Sequence, residues 1–257
     1  MNKMQKLVVL IPCHNEEHGL RHVLSDIPRK QLLLNGVSTH IIVINNRSTD
    51  GTAKVAHEFK VELINEPKKG KGNDMKRAFA EVPTDADYVV MMDGDNTYKT
   101  NELFRMIEPL MSGFCDVVVG SRLGGKLKRK SLPTKNRIAN WVYTFFVRNF
   151  YVANVTDVLS GYFAFKREVV EELRNHIESD GFAIEMEMIT KMIRLGYSMY
   201  SVPITYDRRI GKSKLDPVTD GWKIFHMLFK NLMWMPRVPK ALEKRSLRGS
   251  NNPDLSV

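Results

Sequence analysis

Cysteine is scarce: Cys13 and Cys115 are the only two in 257 residues. Two thiols supply neither a disulfide framework nor a spaced metal cluster. Each flanks an apolar, strand-like run, so both read as buried, reduced thiols of a cytosolic protein. Long apolar runs are missing too. None reaches the roughly 18 residues that a membrane-spanning helix requires, and Met1 to Gln5 is short and polar, with no secretory apolar region. Repeats and low-complexity blocks are absent. Acidic residues are missing from one long stretch: residues 117–156 hold no Asp or Glu, yet include Arg122, Lys126, Lys128, Arg129, Lys130, Lys135, Arg137 and Arg148.

The remaining composition is that of an ordinary folded protein, with 43% hydrophobic and 26% charged residues. The net charge of +10 comes from 39 basic against 29 acidic residues. Its distribution is local. Besides the acid-free stretch, a second basic knot holds Arg208, Arg209, Lys212 and Lys214. Clusters of this kind suit a small polyanion or a membrane headgroup better than a nucleic-acid duplex, and no nucleic-acid recognition element is present.

Apolar runs at Leu7–Ile11, His40–Ile44, Val61–Ile64, Tyr88–Met92 and Val117–Gly120 read as buried strands. Helical patterns at about Glu16–Arg29, Thr52–Phe59, Gly72–Ala80 and Asn101–Met111 alternate with them. The expected fold is α/β, a mostly parallel sheet with helices on both faces, whose ligands lie beyond the carboxyl ends of the strands. Further on come an aromatic helix (Arg137–Tyr151), a strand (Tyr162–Phe165), two helices (Glu168–His176 and Ala183–Leu195) and a strand (Met199–Pro203). The expected division is a catalytic domain over 1–216, an amphipathic interfacial helix within 217–240 and a polar, disordered tail over 241–257.

The polar motifs fall at strand ends. Asp93-Gly94-Asp95 follows the fourth strand; two carboxylates flanking a glycine can hold Mg²⁺ or Mn²⁺ against phosphate oxygens, or simply form a polar turn. Pro12-Cys13-His14-Asn15-Glu16 closes the first strand, where Asn15 and Glu16 either cap the next helix or line a nucleotide pocket. Asn45 and Asn46 open a polar run ending at Asp50 and Gly51. Amides there can bond a base edge or ribose, and Asp50 can cap a helix. Gly70-Lys71-Gly72 reads as a flexible edge near phosphate or as a solvated turn.

These motifs, with Gly120-Ser121-Arg122, Asp157, Ser160-Gly161-Tyr162, Glu185-Met186-Glu187 and Arg209-Ile210-Gly211-Lys212-Ser213-Lys214, resemble the ordered motifs of family 2 glycosyltransferases of GT-A fold. Within that family they look like the dolichyl- and polyprenyl-phosphate sugar synthases, over roughly residues 6–216. The resemblance implies a UDP- or GDP-sugar lying across Pro12, Asn15, Glu16, Asn45, Asn46, Asp50, Lys71, Asp93 and Gly94. It also implies a divalent metal on Asp93 and Asp95, and inversion at the anomeric carbon. The family usually has aspartate where this chain has Asn45-Asn46, which leaves the choice of base open.

A phosphate acceptor, with a second pKa of about 6, arrives already anionic; a sugar hydroxyl needs a carboxylate base. Arg122, Lys135 and Arg137 are the expected acceptor-phosphate ligands, with Arg209, Ser213 and Lys214 as a second clamp. Asp157 and Glu187 are expected either to brace those arginines or to act as the base. The alternative activity uses a hydroxyl acceptor in polysaccharide or glycolipid synthesis. A polyprenyl acceptor implies contact with the cytosolic face of a membrane, through the helices bearing Trp141 and Trp222 or through a partner subunit or second copy.

Overall fold

The computed structural model describes residues 4–211 and 214–236. The expected tail over 241–257 and the expected ligand Ser213 lie outside them. Seven strands form one sheet: β1 (Gln5–Cys13), β2 (Val37–Asn45), β3 (Glu62–Asn65), β4 (Tyr88–Met91), β5 (Val117–Leu127), β6 (Phe163–Lys166) and β7 (Met199–Tyr206), in the spatial order β3-β2-β1-β4-β6-β5-β7. The pairs β3–β2, β2–β1, β1–β4 and β5–β7 are parallel. Only β6 runs against its neighbours β4 and β5.

Side-chain alternation explains the continuous apolar runs. Val8, Leu10, Ile42, Ile44, Val89 and Met91 face one core, while Leu7, Val9, Ile11, Ile41, Val43, Tyr88 and Val90 face the other. Because both faces are buried, every position is apolar and the two-residue period disappears from the sequence. The first core is covered by α4 (Lys71–Ala80), α6 (Thr134–Phe150), α7 (Arg167–Leu173), α8 (Ile184–Arg194) and α9 (Thr219–Lys230). The second is covered by α1 (Glu17–Asp26), α2 (Arg29–Leu34), α3 (Thr52–Glu58) and α5 (Leu103–Met111).

The predicted first helix is thus two, separated at Ile27 and Pro28, because proline disfavours a helical conformation in the residue before it. The helix expected after residue 216 is α9, which inserts Ile224 and Leu228 into the first core. Burying such side chains stabilises by about 1.5–3 kcal/mol each, so α9 is part of the domain's packing.

The chain leaves β1 toward β2 on one side and reaches β4 on the other through α4. That reversal opens a crevice beyond the carboxyl ends of β1 and β4, the place where open α/β sheets bind ligands.

Candidate active site

A cleft of about 590 Å³ occupies that crevice, within the roughly 300–1,000 Å³ usual for small-molecule sites. The β1 end contributes Pro12, Cys13, His14 and Glu16, the β2 end Asn46, and the β4 end Asp93, Gly94 and Asp95. Lys71 and Asp74 come from α4 and Glu185 from the first turn of α8. The remaining lining comes from Lys130–Pro133, Asn136, Leu159 and the segment after β7, with Arg208, Arg209 and Lys214.

Four of the acidic groups, Asp93, Glu185, Asp95 and Glu16, have a cation beside them. Lys71 Nζ lies 2.7 Å from both Asp93 Oδ1 and Glu185 Oε1. Burial works against the lysine's charge, but those two carboxylates hold its pKa above the ordinary value. Asp95 Oδ1 accepts from Thr97 N at 3.0 Å and Thr97 Oγ1 at 2.6 Å. Its Oδ2 lies 2.7 Å from Arg209 Nη2, yet that buried oxygen accepts no directed hydrogen bond. Burial and the neighbouring Asp93 raise the Asp95 pKa, and Arg209 and Thr97 offset part of that. Glu16 is likewise raised by burial and partly restored by Lys214, whose Nζ stands 2.6 Å from Glu16 Oε1.

The Asp93–Asp95 pair suits a hard divalent cation. Both ligands offer oxygen, and Asp95 Oδ2 is a buried lone pair with only an ionic neighbour. Among the described residues no group of three or more metal-ligating side chains occurs. An ion here would therefore draw its other ligands from a bound anion and water.

Several predicted residues take other positions. Asn15, Asn45 and Asp50 do not line the cleft; they tie its rim together. Asn15 Oδ1 accepts from Thr49 N at 2.7 Å, and Asn45 Nδ2 donates to Asn65 Oδ1 at 2.8 Å. Asp50 accepts from Thr52 N at 3.0 Å and Glu17 N at 3.1 Å. Their side chains are short, and an oxygen of each accepts a backbone N–H at the turn it occupies.

Arg122 lines the cleft, but its charge is spent: Nε and Nη2 each lie 2.8 Å from an oxygen of Asp157. Asp157 is fully buried and also takes Arg122 N at 2.8 Å and Asn140 Nδ2 at 2.6 Å. Of its two expected roles it has the structural one; no lone pair is left to act as a base. Lys135 and Arg137 are exposed on the first turn of α6 and do not line the cleft, whereas Lys130 and Asn136 do.

Glu187 is also structural. It is fully buried and accepts from Glu178 N at 2.9 Å, Ser179 N at 2.8 Å and Lys191 Nζ at 2.7 Å. Two residues apart on a helix means about 200° of rotation, so when Glu185 faces Lys71, Glu187 faces away.

Sequence reasoning missed Asp74, Glu185, Lys130 and Arg208. Lys130 and Arg208 belong to basic runs that were legible, and among the described residues neither they nor Lys69 make an ion pair.

Two glycines let distant segments meet here. A methyl group on Gly161 would stand 2.7 Å from Asp93 Oδ2, and one on Gly72 would stand 2.1 Å from the Ser179 carbonyl oxygen.

The model of the family described as "Glycosyl transferase family 2" matches residues 8–174. Glycosyltransferase AglJ of Haloferax volcanii is 33% identical over 224 residues, covering 86% of this chain and 70% of that protein. The dolichyl-phosphate hexose transferase of the same organism is 27% identical, covering 87% and 92%. A crystal structure of glucosyl-3-phosphoglycerate synthase from Mycobacterium tuberculosis, in complex with Mn²⁺, UDP and glucosyl-3-phosphoglycerate, superposes with a TM-score of 0.67 at 21% identity, covering 90% of this chain and 81% of that one. The paired carboxylates at the sheet's switch point thus sit in a known setting: the chain belongs to the family 2 glycosyltransferases, with a GT-A fold.

Proposed function

We propose that the cleft binds a nucleoside-diphosphate sugar together with a divalent cation and passes the sugar, with inversion, to a polyprenyl phosphate. One observation carries the choice of acceptor. The wall made by Lys130–Pro133, Asn136, Leu159 and Arg208 contains uncompensated cations and no carboxylate. A hydroxyl acceptor placed there would have to take its base from another wall of the cleft, whereas a phosphate monoester, with a second pKa of about 6, needs none. It needs positive charge to hold it against the donor diphosphate, and Lys130 and Arg208 supply that. The name of the dolichyl-phosphate hexose transferase agrees with this acceptor class, and the Mn²⁺ and UDP of the solved neighbour agree with the donor.

Asp93 and Asp95 would hold Mg²⁺ or Mn²⁺, which would offset the negative charge growing on the departing nucleoside diphosphate. Arg209 and Lys214, now paired with Asp95 and Glu16, place two further cations beside the same region.

A lipid acceptor requires contact with a bilayer. The helices α6 and α9 pack together through Phe146 and Phe229, whose rings lie 6.1 Å apart, and through Tyr143, which donates to the Gly221 carbonyl oxygen at 2.9 Å. Their outer sides leave Trp141 64% and Trp222 70% exposed, near Ile138, Phe145 and Phe225. Lys135, Arg137, Arg148 and Lys223 are exposed on the same helices. Among the described residues no helix is long and apolar enough to cross a membrane. Aromatic and basic side chains together favour adsorption at the headgroup level of the cytosolic face. Flotation with anionic liposomes is expected to carry the protein upward and to fail for the Trp141→Ala/Trp222→Ala variant.

The decisive assay offers radiolabelled UDP- and GDP-sugars with a polyprenyl phosphate. Label is expected in the organic-extractable lipid; transfer only to a water-soluble glycan would overturn the acceptor assignment.

A further inference from the structure

Asp74 is a carboxylate in an unusual position. It sits on the first turns of α4, is only 5% exposed, and lines the cleft beside Asn46. Its side-chain partner is the amide of Asn46, whose Nδ2 donates to Asp74 Oδ1 and also to the Lys68 carbonyl oxygen at 2.8 Å. Asp74 has no cation of its own: the nearby Lys71 ammonium is held by Asp93 and Glu185. The unfavourable burial pushes its pKa up to about 7. Both hydrogens of the Asn46 amide are therefore engaged, and among the described residues no donor reaches Asp74 Oδ2 or Asn46 Oδ1 in this cleft-lining pair. Neither oxygen is a sealed, unpartnered atom, so at this corner both are open from the cleft to water or to a ligand's N–H.

The corner lies next to the β1 end and one helical turn from Lys71, and so on the donor side of the cleft. We infer that Asp74, oriented against Asn46, reads the base of the donor nucleotide and selects one whose ring nitrogen carries a proton, as in uracil or guanine. Cytosine and adenine present a ring-nitrogen lone pair at that point, which faces a carboxylate oxygen without a hydrogen between them. Guanine adds a neighbouring amino group that Asn46 Oδ1 can accept, whereas uracil adds a carbonyl. The inference rests on the cleft being a nucleoside-diphosphate site. It deepens that reading by naming the residue that discriminates among bases.

The test is calorimetric titration of the full chain, in Mg²⁺, with UDP, GDP, CDP and ADP. The wild type is expected to bind UDP, GDP or both at least about tenfold more tightly than CDP and ADP, since a site built for a donor penalises a base without one. The UDP-to-GDP ratio identifies which base is read. Asp74→Asn keeps an oxygen for the Asn46 amide but turns an N–H toward the base. It is expected to weaken the preferred nucleotide about tenfold or more and to narrow or reverse the preference over CDP. Thermal melting of the variant checks that it is folded.

Unchanged affinity for UDP or GDP in Asp74→Asn would overturn the inference while leaving the nucleotide reading intact. Equal weakening of all four nucleotides would do the same, because it would place Asp74 on the ribose or in a merely structural role. Failure of the wild type to bind any of the four would remove the nucleotide reading and the inference together.

Discussion

The two sides of the cleft, which we propose hold donor and acceptor, are built on opposite principles. On the donor side each carboxylate has a partner: Asp93 and Glu185 share Lys71, Asp95 faces Arg209, Glu16 faces Lys214, and Asp74 takes the Asn46 amide. These groups stand on strand ends and first helical turns, where the sheet fixes them. On the acceptor side the charges are of one sign, and Lys130 and Arg208 make no ion pair among the described residues. Arg122, which falls between the two, belongs to the first kind, since Asp157 neutralises it in the interior. A site that handles a metal-bound diphosphate needs fixed, compensated geometry. One that captures an anion needs charge held in reserve.

Five substitutions probe that contrast. Asp95→Asn keeps the side chain's size but removes the charge a cation needs; sugar transfer into lipid is expected to fall by about 10²–10³ or more, read as kcat with the protein still folded. Asp157→Ala leaves Arg122 buried without its counter-charge. Breaking a buried pair costs about 3–5 kcal/mol, so the melting temperature should drop by roughly 10 °C in a chain of this size. A small drop would mean that Arg122 is free to serve the acceptor side after all.

Asp74 gives a pH-dependent effect. Its folded pKa of about 7 lies above the ordinary 3.8, so the native state holds the proton more tightly than the unfolded one. Stability is thus lost as pH rises from about 4 to about 7 and is level above that. Asp74→Asn removes this penalty. Its melting temperature should exceed that of the wild type by a few degrees at pH 8, with the gap closing toward pH 4. The smallest effects belong to the reserve charges. Lys130→Ala and Arg208→Ala should each raise the KM for lipid phosphate by roughly fivefold to tenfold, with little change for the donor, and the wild-type KM should rise with salt.

The donor side was the more legible in sequence, and the reason is geometric. A motif directly after an apolar strand has its position set by the sheet, so Asp93, Asp95, Glu16 and Asn46 were expected at strand ends, and all four line the cleft. The antiparallel turn of β6 between β4 and β5 had no such signature, because an apolar four-residue strand reads alike in either direction. Helical residues were harder still. Glu185 and Glu187 lie in one short motif, and only the packing of α8 decides which of them meets Lys71. The same holds for Lys130 against Lys135 and Arg137: charge located the acceptor wall, but the turn before α6 determined which side chain reaches it. Asn15, Asn45 and Asp50 show another side of strand-end motifs: they do not line the cleft, and their side chains serve the loops themselves.

The backbone contact between Gly72 and Ser179, and that of Gly161 with Asp93, have a consequence for how the enzyme can be divided. They bring residue 72 against residue 179, and residue 93 against residue 161, at glycines where a Cβ would have no room. A fragment ending after β5 would contain nearly every donor motif, yet Asp93 would lack the backbone it rests on and Lys71 would lack Glu185. The catalytic unit is therefore not modular at its midpoint. Its smallest working piece must run from β1 through the residues that follow β7.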